Sequence, residues 1–123
     1  MTGDPVARVG ADASLADAAR AMVADNVSAM VIGGDDSPRA LVSERDVVRA
    51  VAAGMDPTTV RAVEVASTKL VWCDADSTID EVATQMMDRY IRHVLVERDG
   101  ALVGIVSARD VLGVYCSEAE LDA

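Results

Sequence analysis

The 123-residue chain contains no phenylalanine, one tryptophan and two tyrosines. This shortage of aromatic rings removes the stacking platforms with which proteins hold single-stranded nucleic acids. Eleven basic against 21 acidic side chains give a formal net charge of −10. Since most nucleic-acid affinity comes from lysine and arginine on phosphates, we expect a protein that does not bind nucleic acid.

Metal-ligating side chains and long apolar runs are also scarce. Cys73 and Cys116 are the only cysteines and His93 is the only histidine, whereas a structural zinc site needs about four such ligands. Two cysteines are too few for a disulfide framework, so both are expected in the core and their pairing stays open. No apolar run approaches the roughly 20 residues of a membrane span. The sequence predicts a soluble, cytoplasmic protein without a metal site and without membrane association.

The chain is an internal repeat. Shifting it by 64 residues, for example from Leu41 to Ile105, places residues 41–47 (LVSERDV) on residues 105–111 (IVSARDV). The same shift places Ala11 on Ala75 without any gap between these matches. Self-similarity at a fixed period indicates tandem copies of one supersecondary unit.

Each copy shows the order strand, helix, strand, strand, helix. Apolar residues at helical spacing follow Ser14 and Thr78, which are natural N-caps. We expect a mixed α/β fold with repeat one at residues 1–54, a linker at 55–68 containing a short helix at 58–66, and repeat two at 69–123. The predicted strands are 6–9, 29–32, 40–42, 70–73, 93–96 and 102–106, and the predicted closing helices are 44–53 and 108–115.

Two such tandem units resemble a cystathionine-β-synthase (CBS) domain pair, also called a Bateman module. The resemblance rests on residues 40–47 (ALVSERDV) and 104–111 (GIVSARDV) and covers nearly the whole chain. The linker resembles that of small stand-alone CBS-pair proteins of actinobacteria. The sequence departs from the family at Ala40, where a glycine is usual, and at Val31 and Leu95, where a proline is frequent. The resemblance implies that the repeats pack as a pseudo-two-fold pair.

Ser43-x-x-Asp46 and Ser107-x-x-Asp110 each start a helix directly after a strand. One interpretation is helix capping. The other is ligand binding, because a helix N-terminus favours phosphate and a carboxylate accepts hydrogen bonds from ribose hydroxyls. In the CBS family the matching Ser and Asp hold adenosyl ligands, and the two interpretations are compatible.

Basic residues accompany both motifs. Arg92-His93 at the start of a strand resembles a basic pair that reaches ligand phosphates in this family, whereas repeat one has Ser28-Ala29 there. Arg45 and Arg109 are further candidates for phosphate contacts, or else solvated helix-surface residues. We therefore expect unequal pockets, with a nucleotide phosphate favoured in repeat two and cationic S-adenosylmethionine in repeat one. With few aromatics, the adenine would lie between aliphatic side chains, with Val6, Met30, Leu70 and Val94 as candidates.

The resemblance implies a non-catalytic sensor that binds AMP, ADP, ATP or S-adenosylmethionine in the cleft between the repeats, as a regulatory ligand rather than a cofactor. Of these four ligands, we expect AMP or ATP. The signal would pass to an effector protein or through the oligomer, which is expected to be a homodimer. One alternative is a structural or stress-response dimer that has lost its ligand. Another is a hydrolase using Asp46 or Asp110, although no Gly-rich phosphate loop and no nucleophile–base pair with His93 is present.

Overall fold

The structure is a computed structural model that describes residues 6–33 and 38–114. It divides into two compact units: Val6–Leu70, called here the first unit, and residues 71–114, called the second unit. Each unit contains one three-stranded sheet. The α/β class and the tandem repetition predicted from the sequence are confirmed. No helix in the described ranges is long and apolar enough to cross a membrane.

The first unit follows the predicted order of elements. Its central strand β2 pairs in parallel with β1 and antiparallel with β3. β1 is shorter than the predicted strand 6–9, and residues 34–37 of the predicted β2–β3 turn lie outside the described residues. The elements are β1 (Arg8–Val9), α1 (Leu15–Asp25), β2 (Ala29–Gly33), β3 (Pro38–Ser43), α2 (Glu44–Ala52) and α3 (Ala62–Val65).

The second unit repeats this arrangement. β5 pairs in parallel with β4 and antiparallel with β6. Asp99 and Gly100 both have positive φ between β5 and β6, as a tight hairpin turn requires. The closing helix, α5, is described over residues 108–114, and Tyr115, its predicted end, lies outside the described residues. The other elements are β4 (Trp72–Asp74), α4 (Ile79–Arg89), β5 (His93–Arg98) and β6 (Ala101–Ser107).

Each unit has its own core between its sheet and its helices. Alternate residues of the central strand enter the core, because successive strand side chains point to opposite faces. They meet the apolar stripe of the first helix, whose buried residues recur at helical spacing. The core of the first unit includes Leu15, Ala18, Met22, Met30, Ile32 and Val42, and that of the second includes Val82, Met86, Val94, Val96 and Val106.

The long helices begin where the N-caps predicted. The Asp17 N–H donates to Ser14 Oγ at 3.0 Å, and the Ser14 N–H donates to the Asp17 carboxylate at 3.3 Å. In the second unit the Glu81 N–H donates to Thr78 Oγ1 at 3.1 Å. Local hydrogen bonds three residues apart therefore place both helices.

The segment between the repeats is less helical than predicted. Helix α3 covers Ala62–Val65 instead of residues 58–66. Asp56 Oδ1 accepts hydrogen bonds from the Thr58 N–H at 3.0 Å and the Thr58 hydroxyl at 2.7 Å. This side-chain turn competes with helix formation, so the start of the predicted helix is a turn.

The same segment is tied to the first unit by its backbone. The N–H groups of Leu15 and Ala16 donate to the carbonyls of Val60, at 2.8 Å, and Pro57, at 2.9 Å. These N–H groups lie in the first turn of α1, where no carbonyl of the same helix is placed to accept their hydrogen bonds. Because the carbonyls of Val60 and Pro57 accept these bonds from α1, they do not take part in the intrahelical hydrogen bonds that would extend α3 toward its N-terminus. Ala62 is fully buried in the core of the first unit.

Candidate functional site

In the second unit, the predicted site residues meet at the N-terminus of α5. Ser107 ends β6, and His93 lies opposite it in the antiparallel pairing with β5. The N–H of Ala108 donates to the carbonyl of Arg92 at 2.8 Å. Asp110 follows within the first turn of the helix. Strand pairing therefore brings Arg92-His93 and the Ser-x-x-Asp motif to one place.

In the first unit, the equivalent position at the N-terminus of α2 is formed by different residues. Ala29 lies opposite Ser43 in the pairing of β2 with β3. The N–H of Glu44 donates to the carbonyl of Ser28 at 2.9 Å. Asp46 takes the position of the second-unit aspartate. Ser28-Ala29 therefore occupies the backbone position that Arg92-His93 occupies in the second unit.

Both motifs form capping boxes, so the capping interpretation is confirmed. The N–H of Ser43 donates to Asp46 Oδ2 at 2.8 Å, and the Asp46 N–H donates to Ser43 Oγ at 3.3 Å. The matching distances for Ser107 and Asp110 are 2.9 Å and 3.1 Å. The serine hydroxyl and the carboxylate are thereby held on one side of the first turn.

Capping leaves part of each carboxylate for another partner. Every hydrogen bond that the carboxylates of Asp46 and Asp110 accept among the described residues uses Oδ2, and both residues are half-buried. An ionised carboxylate has about four acceptor positions. Oδ1, oriented by the bonds to Oδ2, is therefore placed to accept hydrogen bonds from a ligand hydroxyl.

The cations near the sites are exposed. Arg45, Arg92 and Arg109 are exposed, and no ion pair among the described residues engages them. His93 is half-buried on β5. A guanidinium that is not paired within the chain is well suited to bind phosphate oxygens. The geometry fits both interpretations made from the sequence, phosphate contact and solvation.

Two of the four candidates for adenine contact lie elsewhere. Met30 and Val94 are 1% and 0% exposed and belong to the cores of their units. They occupy alternate positions of the central strands, whose side chains face the helices. Val6 and Leu70 are half-buried and stay candidates for this role.

The described residues contain no group of three or more His, Cys, Asp or Glu side chains able to hold a metal ion. Cys73 is buried, and this burial raises the pKa of its thiol. Its thiol is therefore protonated at neutral pH and a poor metal ligand. Cys116 lies outside the described residues, so the pairing of the two cysteines stays open.

The sequence interpretation passed over one difference between the sites. The first helical residue is Glu44 in the first unit and residue 108, an alanine, in the second. The repeat alignment already contained this signal. This position is not among the residues that the two motifs share, so the shared pattern does not single it out.

These features place the chain in a known class. It belongs to the CBS domain family, whose pattern matches residues 1–53 and 60–117. The resemblance to a tandem CBS pair is thereby confirmed, and a pair of CBS domains is a regulatory module. A curated relative is Hypoxic response protein 1 of Mycobacterium tuberculosis, 35% identical over 105 residues that cover 84% of this chain and 73% of that protein.

Solved structures show the same fold. A CBS-domain containing protein from Agrobacterium tumefaciens has a TM-score of 0.83 at 33% identity, covering 92% of this chain and 91% of that one. A CBS domain protein from Pyrobaculum aerophilum, complexed with AMP, has a TM-score of 0.76 at 31% identity, covering 86% and 82%. A structure of Hypoxic Response Protein I with two coordinated zinc ions has a TM-score of 0.69 at 34% identity, covering 90% and 92%.

Proposed function

We propose that this protein is a non-catalytic regulatory module that binds an adenosine-containing ligand at its Ser-x-x-Asp sites. The observation that carries the proposal is the oriented carboxylate at each helix N-terminus, where capping uses Oδ2 of Asp46 and Asp110. The AMP complex of the Pyrobaculum relative supports this ligand class.

The ligand contacts follow from the chemistry of each group. Oδ1 of Asp110 accepts hydrogen bonds from the two vicinal ribose hydroxyls, which a single carboxylate can do. The positive end of α5 and the Ser107 hydroxyl favour the phosphate. Arg92 adds positive charge on the adjoining strand, beside the His93 imidazole, and Arg109 adds positive charge on the helix. The second unit is thus the site for AMP or ATP.

The first unit lacks the basic pair and has a different preference. Ser28-Ala29 supplies no charge, and the protein carries a net charge of −10. An anionic phosphate has less to hold it at Asp46 than at the second site. A cationic adenosyl ligand such as S-adenosylmethionine is favoured by the acidic surroundings. The two sites would then respond to different ligands.

The signal that ligand binding produces passes through a homodimer or to an effector protein. The exposed faces of the closing helices carry apolar side chains: Val48 is 65% exposed, Val51 55% and Leu112 63%. Val48 and Val51 lie one turn apart on α2, and apolar side chains exposed together are typical of an interaction site, which a second copy would cover on both partners alike. Light scattering at micromolar concentration should give twice the mass of one chain. A Val48→Asp, Leu112→Asp double variant should give the mass of one chain.

A thermal-shift assay tests the ligand proposal directly. AMP, ATP and S-adenosylmethionine are compared with GMP as a matched control for phosphate and ribose. A ligand at about 100 times its Kd stabilises the folded protein by about 2.7 kcal/mol. A shift with an adenosyl ligand and none with GMP supports the proposal. The absence of any shift at millimolar concentration would leave capping as the whole role of the motifs and favour a structural or stress-response protein.

A further inference from the structure

The first helical residue differs in charge between two sites that otherwise share their backbone geometry. Glu44 begins α2, and Ala108 begins the corresponding helix of the second unit. Both N–H groups donate to the carbonyl of the residue before the central strand, at 2.9 Å and 2.8 Å. The two side chains therefore start from equivalent points beside the Ser-x-x-Asp motif. Glu44 is exposed, and no ion pair or side-chain hydrogen bond among the described residues holds it.

The charged side chains beside each motif therefore sum to a net charge of opposite sign at the two sites. At the first site, the carboxylates of Glu44 and Asp46 stand against the guanidinium of Arg45. At the second site, the guanidiniums of Arg92 and Arg109 stand against one carboxylate, that of Asp110. A carboxylate at the first helical position also offsets the positive helix end that would attract a phosphate.

We propose that Glu44 is a specificity-determining residue that makes the first site disfavour phosphate-bearing ligands relative to uncharged or cationic adenosine derivatives. The proposal rests on the function proposed above and adds its chemical selectivity. The physical cause is repulsion between the Glu44 carboxylate and a phosphate dianion at the same helix end. Solvent screening weakens this repulsion but does not abolish it. The second site admits the phosphate because Ala108 places no charge there.

Calorimetry with adenosine and AMP separates phosphate selectivity from adenosine binding. The first site is measured in an Asp110→Ala background and the second in an Asp46→Ala background. Glu44→Gln should raise the affinity of the first site for AMP about threefold to tenfold and leave adenosine unchanged. Ala108→Glu should lower AMP affinity at the second site by a similar factor, again without affecting adenosine.

The matched control is Glu81→Gln, which removes one exposed carboxylate from the first turn of α4 and changes the net charge equally. It should leave the AMP-to-adenosine ratio of affinities unchanged, and circular dichroism checks that each variant is folded. An unchanged ratio in folded Glu44→Gln and Ala108→Glu, with adenosine still bound, overturns the role of Glu44 alone. If adenosine and AMP bind neither site of the wild type, the proposed function itself fails and the inference with it.

Discussion

Replacing Asp110 with alanine should separate ligand binding from folding, because its carboxylate has two tasks in the second unit. One oxygen accepts the Ser107 N–H at 2.9 Å, and the other is the atom that we propose binds the ligand. The reverse half of the capping box survives in the variant, since the residue 110 N–H still donates to Ser107 Oγ, as it does at 3.1 Å in the parent chain.

The structural cost is therefore small. Loss of a helix cap destabilises a protein by about 1 kcal/mol, and a chain of this size loses about 4 °C of melting temperature for each kcal/mol. The binding cost is larger. A hydrogen bond to a charged group contributes about 1.5–3 kcal/mol, so the affinity for AMP should fall about ten- to a hundredfold.

Asp17→Ala is the matched control, because it removes the corresponding carboxylate from the capping box at the start of α1. Asp17 accepts the Ser14 N–H at 3.3 Å and also bonds Arg20 at 2.7 Å. That surface ion pair adds little stability. The control should lose a similar few degrees of melting temperature and keep wild-type affinity for AMP in calorimetry.

Two results would refute this reasoning. If Asp110→Ala unfolds the protein while Asp17→Ala does not, the carboxylate has a structural role beyond capping. If Asp110→Ala binds AMP as tightly as the wild type, its free oxygen does not contact the ligand. Asp46→Ala at the first site should behave in the same way toward an adenosyl ligand without a phosphate.

Three further outcomes follow from the described contacts. A fragment ending at Gly54 loses the carbonyls that cap α1, so relative to a fragment ending at Leu70 its circular dichroism should show a loss of helix larger than the four residues of α3, and a loss no larger than that would contradict this. Because burial raises its thiol pKa, Cys73 should react with a thiol reagent far more slowly in the folded than in the unfolded chain, as followed by site-resolved mass spectrometry. The hydrogen bonds from the Thr58 side chain and backbone lower the pKa of Asp56 from its ordinary 3.8, so its stabilising contribution is present above that value and is lost as the pH falls through the folded value. Urea unfolding at about pH 6 and about pH 3 should therefore show the stability difference between wild type and Asp56→Asn shrinking in acid, and a constant difference would count against it.

The elements and their repetition were predictable because they depend on local patterns. Capping at Ser14, Ser43 and Ser107 involves residues three positions apart, and the helix and strand periodicities extend over one element. Such signals are complete within a few residues of sequence. The 64-residue repeat places each element of the first half on an element of the second half. Both Ser-x-x-Asp motifs are therefore predictable from the sequence.

The prediction of a connecting helix over residues 58–66 is wrong because it also depends on a local pattern. Asp56 and Pro57 are typical of a helix start, and the hydrogen bonds from Thr58 to Asp56 suit a helix N-cap as well as a turn. The competing partners are the N–H groups of Leu15 and Ala16, more than 40 residues earlier in the chain. Bonds of that separation depend on the folded path of the backbone, which the spacing of neighbouring residues does not encode.

The sequence by itself determined the repeat, the helix caps and the residue types available at each site. Only the tertiary structure decided which of them meet. The pairing of β5 with β6 brings the carbonyl of Arg92 to the N–H of Ala108, and strand alternation buries Met30 and Val94 in the cores. The physical reason is that strand register and side-chain burial are set by contacts between elements distant in sequence, whereas caps and turns are set within four residues.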